Sequence, residues 1–175
     1  MILKLKRTPG LYLVGFMASG KSTVGRALAY ELGWAFVDID EDIAAARGKT
    51  IAGIFEQEGE AEFRKQETQA ILKRVKTIQT GRPMVVALGG GAFSQQNNFA
   101  TLQENGVTVW LDCPLLLVRA RIGETTERPL ARDGDKLEHL YFARRAAYQR
   151  ADFRVEIGGD DPAPVVSAIL KLPIF

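Results

Sequence analysis

Short apolar runs alternate with longer amphipathic stretches along the chain, and this alternation predicts strands separated by helices. A short continuous apolar run is typical of a strand that is buried on both faces, as in parallel sheets. Helices between such strands cover the two faces of the sheet. The predicted strands lie at residues 11–15, 35–37, 84–88, 107–111 and 153–157, the last with an alternating pattern. We therefore expect an α/β fold with a parallel sheet.

Apolar residues recur at helical spacing between these strands, for example at Val24, Leu28 and Leu32. The stretch between the second and third strands is too long for a single crossover helix. We expect this insertion, about residues 40–80, to form a substrate-binding subdomain. The predicted helices cover residues 22–32, 60–79, 136–151 and 162–171, with a shorter helical pair over 40–57 that breaks near Gly48.

Composition narrows the class of protein without naming a function. A chain of 175 residues has the size of one domain, so we expect a single domain over residues 1–175. The net charge of +2 is too small to suggest binding to nucleic acid or to an anionic membrane, and no apolar run could span a bilayer. We expect a monomer with neither kind of partner. The single cysteine, Cys113, excludes an internal disulfide and fits a cytoplasmic location.

The segment at residues 123–135, GETTERPLARDGD, is polar and is interrupted by Pro129 and Gly134. It is either an ordinary loop or a lid that moves over a bound ligand. The residues alone leave both alternatives open.

The strongest local signal is a phosphate-binding loop after the first strand, where residues 15–22 read GFMASGKS and satisfy G-x-x-x-x-G-K-[ST]. Glycines let backbone N–H groups surround a diphosphate at the start of the next helix. Lys21 would reach the β- and γ-phosphates of ATP, and the Ser22 hydroxyl would coordinate Mg²⁺. The alternative is a glycine-rich turn that happens to end in Lys-Ser. The nucleotide-binding residues expected here are Ala18, Ser19, Gly20, Lys21, Ser22 and Thr23.

The loop indicates a small kinase rather than another kind of nucleotide-binding protein. The chain contains neither an N-K-x-D nor a D-x-x-G motif, so a GTPase has little support. It is also short for a motor or a transporter ATPase.

Asp38 and Asp40 follow the second predicted strand, at the edge where ligands bind in open parallel sheets. One carboxylate could support hydrated Mg²⁺, while the other accepts a hydrogen bond from the hydroxyl group to be phosphorylated. The alternative is that one of them caps the helix that begins near Glu41.

Two further features are candidates for the same edge. Arg64 lies near the start of the long predicted helix, where it is either a ligand-binding residue or a surface arginine paired with Glu60 and Glu67. Residues 89–91 are three consecutive glycines, expected where backbone must approach a ligand closely. The alternative for the glycines is a flexible turn.

Taken together, six motifs in this order resemble shikimate kinase, and the resemblance runs from about residue 11 to 170. It implies a fold like that of nucleoside monophosphate kinases, with a five-stranded parallel sheet, a substrate-binding subdomain and a lid. It also implies transfer of the ATP γ-phosphate, with Mg²⁺, to the 3-hydroxyl of shikimate on the route to aromatic amino acids. The motifs are GFMASGKSTVGR, VDID, GEAEFRKQE, ALGGGA, TERPL and the R-x-x-x-Y of residues 144–148.

The resemblance also implies roles for single residues on the acceptor side. Asp40 would hold the hydroxyl groups of shikimate and act in catalysis. Arg64 and Arg144 would bind the carboxylate, since guanidinium groups suit a small acid. Gly90 would offer its backbone to the same ligand.

On the phosphate side, Lys21 and Arg128 would be catalytic, with Arg128 as the arginine of the lid. Ser22 would bind Mg²⁺ directly and Asp38 would do so through water. The turn at residues 158–162 lies near the place where the family binds adenine, although no single contact can be named there.

The chain departs from the family pattern at three positions. Ala18 stands where many relatives have glycine, a change that should only restrict the backbone, and Ala146 stands where a proline is common. Because Arg144 is followed by Arg145, the carboxylate-binding position could be either, and the spacing to Tyr148 favours Arg144. Two other functions stay open from the residues: a kinase of gluconate or of a nucleoside monophosphate, and a nucleotide-binding module without catalysis.

Overall fold

A computed structural model describes residues 10–123 and 134–175 of the chain. The described residues contain a parallel sheet with the strand order β2-β3-β1-β4-β5, which confirms the predicted five-stranded α/β fold. The strands begin and end close to the predicted positions. They are β1 Gly10–Val14, β2 Ala35–Asp38, β3 Met84–Ala87, β4 Val107–Asp112 and β5 Phe153–Glu156.

Helices connect these strands, and those predicted from periodicity are present. The helical pair in the insertion breaks at Gly48, which has a left-handed φ of 62° and ends the first of the two helices. None of the described helices combines the length and the apolar character needed to cross a bilayer. The helices are α1 Lys21–Leu32, α2 Ile39–Arg47, α3 Ile51–Glu58, α4 Glu60–Gln79, α5 Gln96–Glu104, α6 Leu115–Gly123, α7 Gly134–Tyr148 and α8 Ala163–Leu170, with a 3-10 turn at Ala92–Ser94.

Two helices were not predicted from the sequence. The sequence of α5, QNNFATLQE, contains few apolar residues and buries only Asn98 and Leu102, so its periodicity is weak. The helix α6 begins with an apolar run, LLLV, that resembles a strand more than an amphipathic helix. The helix α5 connects β3 to β4, and α6 follows β4.

Burial differs between the central and the edge strands. Every residue of β1, β3 and β4 is buried, as expected for strands with helices on both faces. In the edge strand β5 only Val155 is buried, which accounts for its alternating sequence pattern.

The connections after β1 and β3 cross the sheet in opposite directions. From β1 the chain passes β3 to reach β2 at one edge, whereas from β3 it passes β1 to reach β4 on the other side. A crevice at the carboxyl ends of the strands is the usual ligand site at such a switch point. The phosphate loop after β1, the aspartates at the end of β2 and the glycines after β3 all reach this edge.

We expect Gly106→Ala to destabilise the protein, because a β-carbon there would lie 2.3 Å from the Gly10 carbonyl oxygen in the neighbouring strand β1. Backbone cannot move away as a flexible side chain can, so the cost should be about 1–3 kcal/mol in the free energy of unfolding. The measurement is chemical denaturation. Gly158→Ala is the control, since a β-carbon at Gly158 meets no atom within 4 Å. Equal stability of the two variants would contradict this account.

Candidate active site

The phosphate loop is shaped by three residues with positive φ: Gly15 at 152°, Ala18 at 60° and Gly20 at 91°. At Gly15 a β-carbon would also lie 2.7 Å from the Leu111 carbonyl oxygen, so only glycine fits. Gly20 precedes α1 and has no side chain to bond the first N–H groups of that helix. Those N–H groups and the positive end of the helix dipole therefore face the loop, as an anion site requires.

Ala18 is the one non-glycine residue with positive φ in the described part of the chain. The left-handed conformation costs an alanine about 1–2 kcal/mol, which explains why glycine suits this position. We expected Ala18 only to restrict the backbone, but its left-handed conformation also introduces strain. The Ala18 carbonyl accepts a hydrogen bond of 2.8 Å from Arg121 Nη1, which helps to hold this conformation.

Lys21, the first residue of α1, folds back over the loop. Its Nζ donates to the carbonyl oxygens of Gly15 at 2.8 Å and Phe16 at 2.9 Å. These two bonds hold a positive charge at the loop, where the β- and γ-phosphates of a nucleotide would need it.

Ser22 and Asp38 lie side by side, and the Ser22 hydroxyl donates to Asp38 Oδ2. The other oxygen of Asp38 accepts from the backbone N–H of Asp40 at 2.9 Å and of Glu41 at 3.3 Å, so Asp38 also caps α2. The cap that was predicted as an alternative role for one aspartate thus belongs to Asp38, in addition to its contact with Ser22.

The Ser22–Asp38 pair has the chemistry of a magnesium site. Mg²⁺ prefers oxygen ligands, and it is commonly bound by one or two protein groups together with phosphate and water. Within residues 10–123 and 134–175, no cluster of three or more His, Cys, Asp or Glu side chains could hold a metal by itself. A shared site of protein, phosphate and water therefore fits these residues better than a closed protein site.

Two carboxylates face the first of the three glycines after β3. A β-carbon on Gly89 would lie 2.8 Å from Asp40 Oδ1 and 2.9 Å from Glu67 Oε2. Asp40 comes from α2 and Glu67 from α4. The glycine is therefore required by space, because any side chain would displace one of the carboxylates.

Two guanidinium groups face the next two glycines. A β-carbon on Gly90 would lie 3.0 Å from Arg144 Nη1, and one on Gly91 would lie 2.4 Å from Arg64 Nη2. Arg144 comes from α7, and its guanidinium also lies 5.8 Å from the centre of the Phe16 ring in the phosphate loop. The glycine run thus contacts charged groups from three helices, which is a more specific arrangement than a flexible turn.

Arg64 forms the ion pairs that its sequence neighbours suggested, yet it is not a surface residue. Its Nη1 donates to Glu67 Oε1 at 2.8 Å, and its Nη2 lies 3.4 Å from Glu60 Oε1. Only 17% of the side chain is exposed. The pair with Glu67 therefore orients the guanidinium toward the glycines.

Glu67 is a site residue that the sequence analysis did not identify. Its side chain is fully buried, and its place one helical turn after Arg64 was the only available signal. Burial raises the pKa of the Glu67 carboxyl above its usual value. The negative charge of Asp40 adds to the rise in pKa, while the positive charges of Arg64 and Arg144 oppose it.

The two adjacent arginines of α7 point to different places. Arg144 lies against Gly90, whereas Arg145 forms two hydrogen bonds with the Asp112 carboxylate, at 2.6 and 3.2 Å. Of the two, only Arg144 lies among the charged groups around the glycines.

A cavity of about 300 Å³ is lined in part by the phosphate loop. Residues 159–162 of the predicted turn form one wall, together with Val165 of α8. Arg121 forms another wall and was not identified from the sequence. It donates to the carbonyl oxygens of Ala18 at 2.8 Å and Gly159 at 2.9 Å, so it joins the turn to the phosphate loop.

The predicted lid at residues 123–135 and its arginine, Arg128, fall almost entirely within residues 124–133, outside the described residues. The other predicted site residues all lie at the carboxyl edge of the sheet. The predicted nucleotide-binding residues Ser19 and Thr23 line the cavity together with Ala18 and Gly20.

Comparison with known proteins agrees with this geometry. The sequence model of the family described as shikimate kinase matches residues 17–172. The chain is 41% identical to a shikimate kinase of Persephonella marina over 161 residues, which are 91% of this chain and 96% of that protein. The fold is similar to the crystal structure of shikimate kinase from Aquifex aeolicus, with 36% identity, a TM-score of 0.81 and coverage of 92% and 94%. It is also similar to shikimate kinase from Acinetobacter baumannii in complex with shikimate, with 35% identity, a TM-score of 0.88 and coverage of 98% and 96%.

The raised pKa of Glu67 gives a prediction about stability. Between pH 4.5 and the raised pKa of the folded protein, the unfolded chain releases the Glu67 proton while the folded protein still holds it. The free energy of unfolding of the wild type, minus that of Glu67→Gln, should therefore fall as pH rises from about 4.5 to the folded-state pKa. The slope cannot exceed about 1.4 kcal/mol per pH unit.

Denaturant titrations of both proteins at several pH values measure this difference. Glu62→Gln, which removes a partly exposed carboxylate from the same helix, controls for the loss of one charge. A difference for Glu67→Gln that does not fall with pH would show that the carboxyl is not held in its protonated form.

Proposed function

Because the chain belongs to the shikimate kinase family, we propose that the phosphate loop binds ATP with Mg²⁺ and that the charged groups around residues 89–91 bind shikimate. The protein phosphorylates shikimate with ATP, a reaction of aromatic amino acid biosynthesis. The observation that carries the assignment of the two binding sites is that Gly90 lies close to both of them. A β-carbon on Gly90 would lie 3.0 Å from Arg144 Nη1 and 3.6 Å from the backbone N of Met17 in the phosphate loop.

On the donor side, backbone N–H groups of residues 15–20 and the start of α1 hold the phosphates of ATP. Lys21 neutralises charge on the β- and γ-phosphates. The Ser22 hydroxyl would bind Mg²⁺ and Asp38 would do so through water, and the ion would supply further charge neutralisation. Arg128 is proposed to add positive charge from a lid at residues 123–135.

On the acceptor side, Arg64 and Arg144 bind the carboxylate of shikimate, since two planar guanidinium groups face the same space. Asp40 accepts hydrogen bonds from hydroxyl groups, including the one that attacks phosphorus. The backbone of Gly90 supports the same ligand. Glu67 holds Arg64 in place through the 2.8 Å hydrogen bond between them.

Adenine is assigned to the cavity between Arg121 and the turn at residues 158–162. A volume of about 300 Å³ suits a planar base, and the cavity opens on the phosphate loop. Within the insertion at about residues 40–80, α2 and α4 supply Asp40 and Arg64. A monomeric state and a cytoplasmic location stay predictions.

The direct test is ADP formation that depends on added shikimate and on Mg²⁺, measured with a coupled assay. Gluconate and a nucleoside monophosphate are the competing acceptors in the same panel. ADP formation with shikimate, and with neither of the other two acceptors, supports the proposal. Hydrolysis of ATP at the same rate with and without each acceptor would contradict it.

Asp40→Asn should lower turnover of shikimate about 10² to 10⁴-fold, the usual contribution of a general base. The amide keeps nearly the same shape but replaces part of the acceptor with a donor. The KM for ATP should stay within a few-fold, because the phosphate loop is unchanged. Steady-state kinetics with each substrate varied in turn give both quantities.

Glu41→Gln is the matched control for Asp40→Asn, since Glu41 is exposed on the same helix and pairs with Arg26. Normal turnover by Asp40→Asn would remove Asp40 from the mechanism. A loss confined to ATP binding would instead assign Asp40 to the donor side.

Arg121→Met should raise the KM for ATP by about tenfold or more, because charge-assisted hydrogen bonds to the loop and to the turn are worth about 1.5–3 kcal/mol each. The KM for shikimate should change little. Arg119→Met is the control, as Arg119 lies on the same helix and pairs with Glu138 near the surface. An unchanged KM for ATP would argue against adenine binding in this cavity.

A further inference from the structure

One face of α7 carries four large polar residues, Tyr141, Arg144, Arg145 and Tyr148, which are three or four positions apart. Arg144 is the residue of this face that the proposed function assigns to the acceptor. The other three bind the carboxyl edge of the sheet, each at a different point.

The two tyrosines bind backbone carbonyl groups at either end of this face. Tyr141 donates its hydroxyl to the Cys113 carbonyl oxygen at 2.8 Å, just after β4. Tyr148 donates to the Gly90 carbonyl oxygen at 2.5 Å, just after β3. The helix is thereby fixed to two strands that flank β1.

Arg145 makes the most extensive contact between them. It donates to both oxygens of the Asp112 carboxylate, at 2.6 and 3.2 Å, and to the Tyr141 hydroxyl at 3.0 Å. Its guanidinium also lies 4.8 Å from the centre of the Trp110 ring. Only 7% of the Asp112 side chain is exposed, so water screens this ion pair weakly.

Asp112 has a second cationic partner that does not belong to α7. Arg154 Nη2, on the edge strand β5, lies 2.6 Å from Asp112 Oδ2. Arg154 is 51% exposed and has no contact with the glycines after β3 among those described. Two arginines therefore share one carboxylate, but only one of them is on the helix that supplies Arg144.

We infer that the Asp112–Arg145 ion pair sets the rotation of α7 about its axis, and that Asp112 and Arg145 are thereby positioning residues for Arg144 in acceptor binding. Arg144 and Arg145 are consecutive, so their directions from the helix axis differ by a constant angle of about 100°. Fixing Arg145 at the end of β4 fixes the direction in which Arg144 leaves the helix. A small misplacement of a binding group can cost as much as about 10²-fold in rate.

This inference rests on the proposed role of Arg144, and it differs from a purely structural role in what it predicts for kinetics. An ion pair that only stabilised the fold would lower the free energy of unfolding when it was removed and would leave the KM for shikimate unchanged. If Arg145 positions Arg144, loss of Arg145 should raise the KM for shikimate, whereas loss of Arg154 should not.

The test compares Arg145→Met with Arg154→Met. In each variant the other arginine still neutralises Asp112, so no buried carboxylate is left without a cation and both proteins should fold. Arg145→Met should raise the KM for shikimate about tenfold, the effect of about 1.4 kcal/mol, and leave the KM for ATP within twofold. Arg154→Met should leave both KM values within twofold, and denaturant titration records the stability of each variant.

A double-mutant cycle separates this inference from the proposed function. Arg144→Met alone should raise the KM for shikimate, and adding Arg145→Met to it should raise that KM little further. Additive effects would overturn the inference, as would equal KM shifts in Arg145→Met and Arg154→Met or no shift in Arg145→Met. If Arg144→Met alone leaves the KM for shikimate unchanged, the assignment of Arg144 fails, and the inference falls with it.

Discussion

Four charged side chains from three helices reach the end of β3 because residues 89–91 have no β-carbon. The distances make this a steric condition: a β-carbon at each position would lie within 3.0 Å of a carboxylate oxygen or a guanidinium nitrogen. Such distances are shorter than packed atoms allow. The remainder of the acceptor site depends on this space, since these charged side chains would have to leave their positions if it were filled.

The backbone ladder sets the distance between the donor and acceptor sides. The phosphate loop and the glycine run follow β1 and β3, which are paired neighbours whose register ends with Leu13 opposite Ala87. Parallel strands lie about 4.8 Å apart, so the two loops start side by side at the same level of the sheet. Phosphoryl transfer depends mainly on alignment of donor and acceptor. Here that alignment follows from strand pairing.

The sequence was sufficient for the features that depend on local pattern. Buried strands, the phosphate loop and the long helix α4 each have a signal within one segment, and the six ordered motifs identified the family. Features that depend on contacts between segments were not predicted. Arg121 acts through carbonyl groups at Ala18 and Gly159, which are far from it in sequence. The glycines were expected to approach a ligand, whereas their immediate neighbours in the structure are charged side chains.

The choice between Arg144 and Arg145 shows why such contacts are decisive. Both are arginines on one helix, and spacing to Tyr148 favoured Arg144 only by analogy with the family. The structure distinguishes them because Asp112, at the end of β4, accepts two hydrogen bonds from Arg145. Only the position of β4 relative to α7 contains that information.

Two arginines in and beside this site are paired with carboxylates before any ligand binds. Arg64 is paired with the buried Glu67, and Arg145 with the nearly buried Asp112. A buried charge is costly without a partner, so these pairs let the fold keep guanidinium groups in the interior. They also restrict long side chains that would otherwise lose conformational freedom on binding. The entropy cost of ordering Arg64 and α7 is thus met during folding. The interactions left for the ligand are those between its own carboxylate and hydroxyl groups and a set of donors and acceptors already in position.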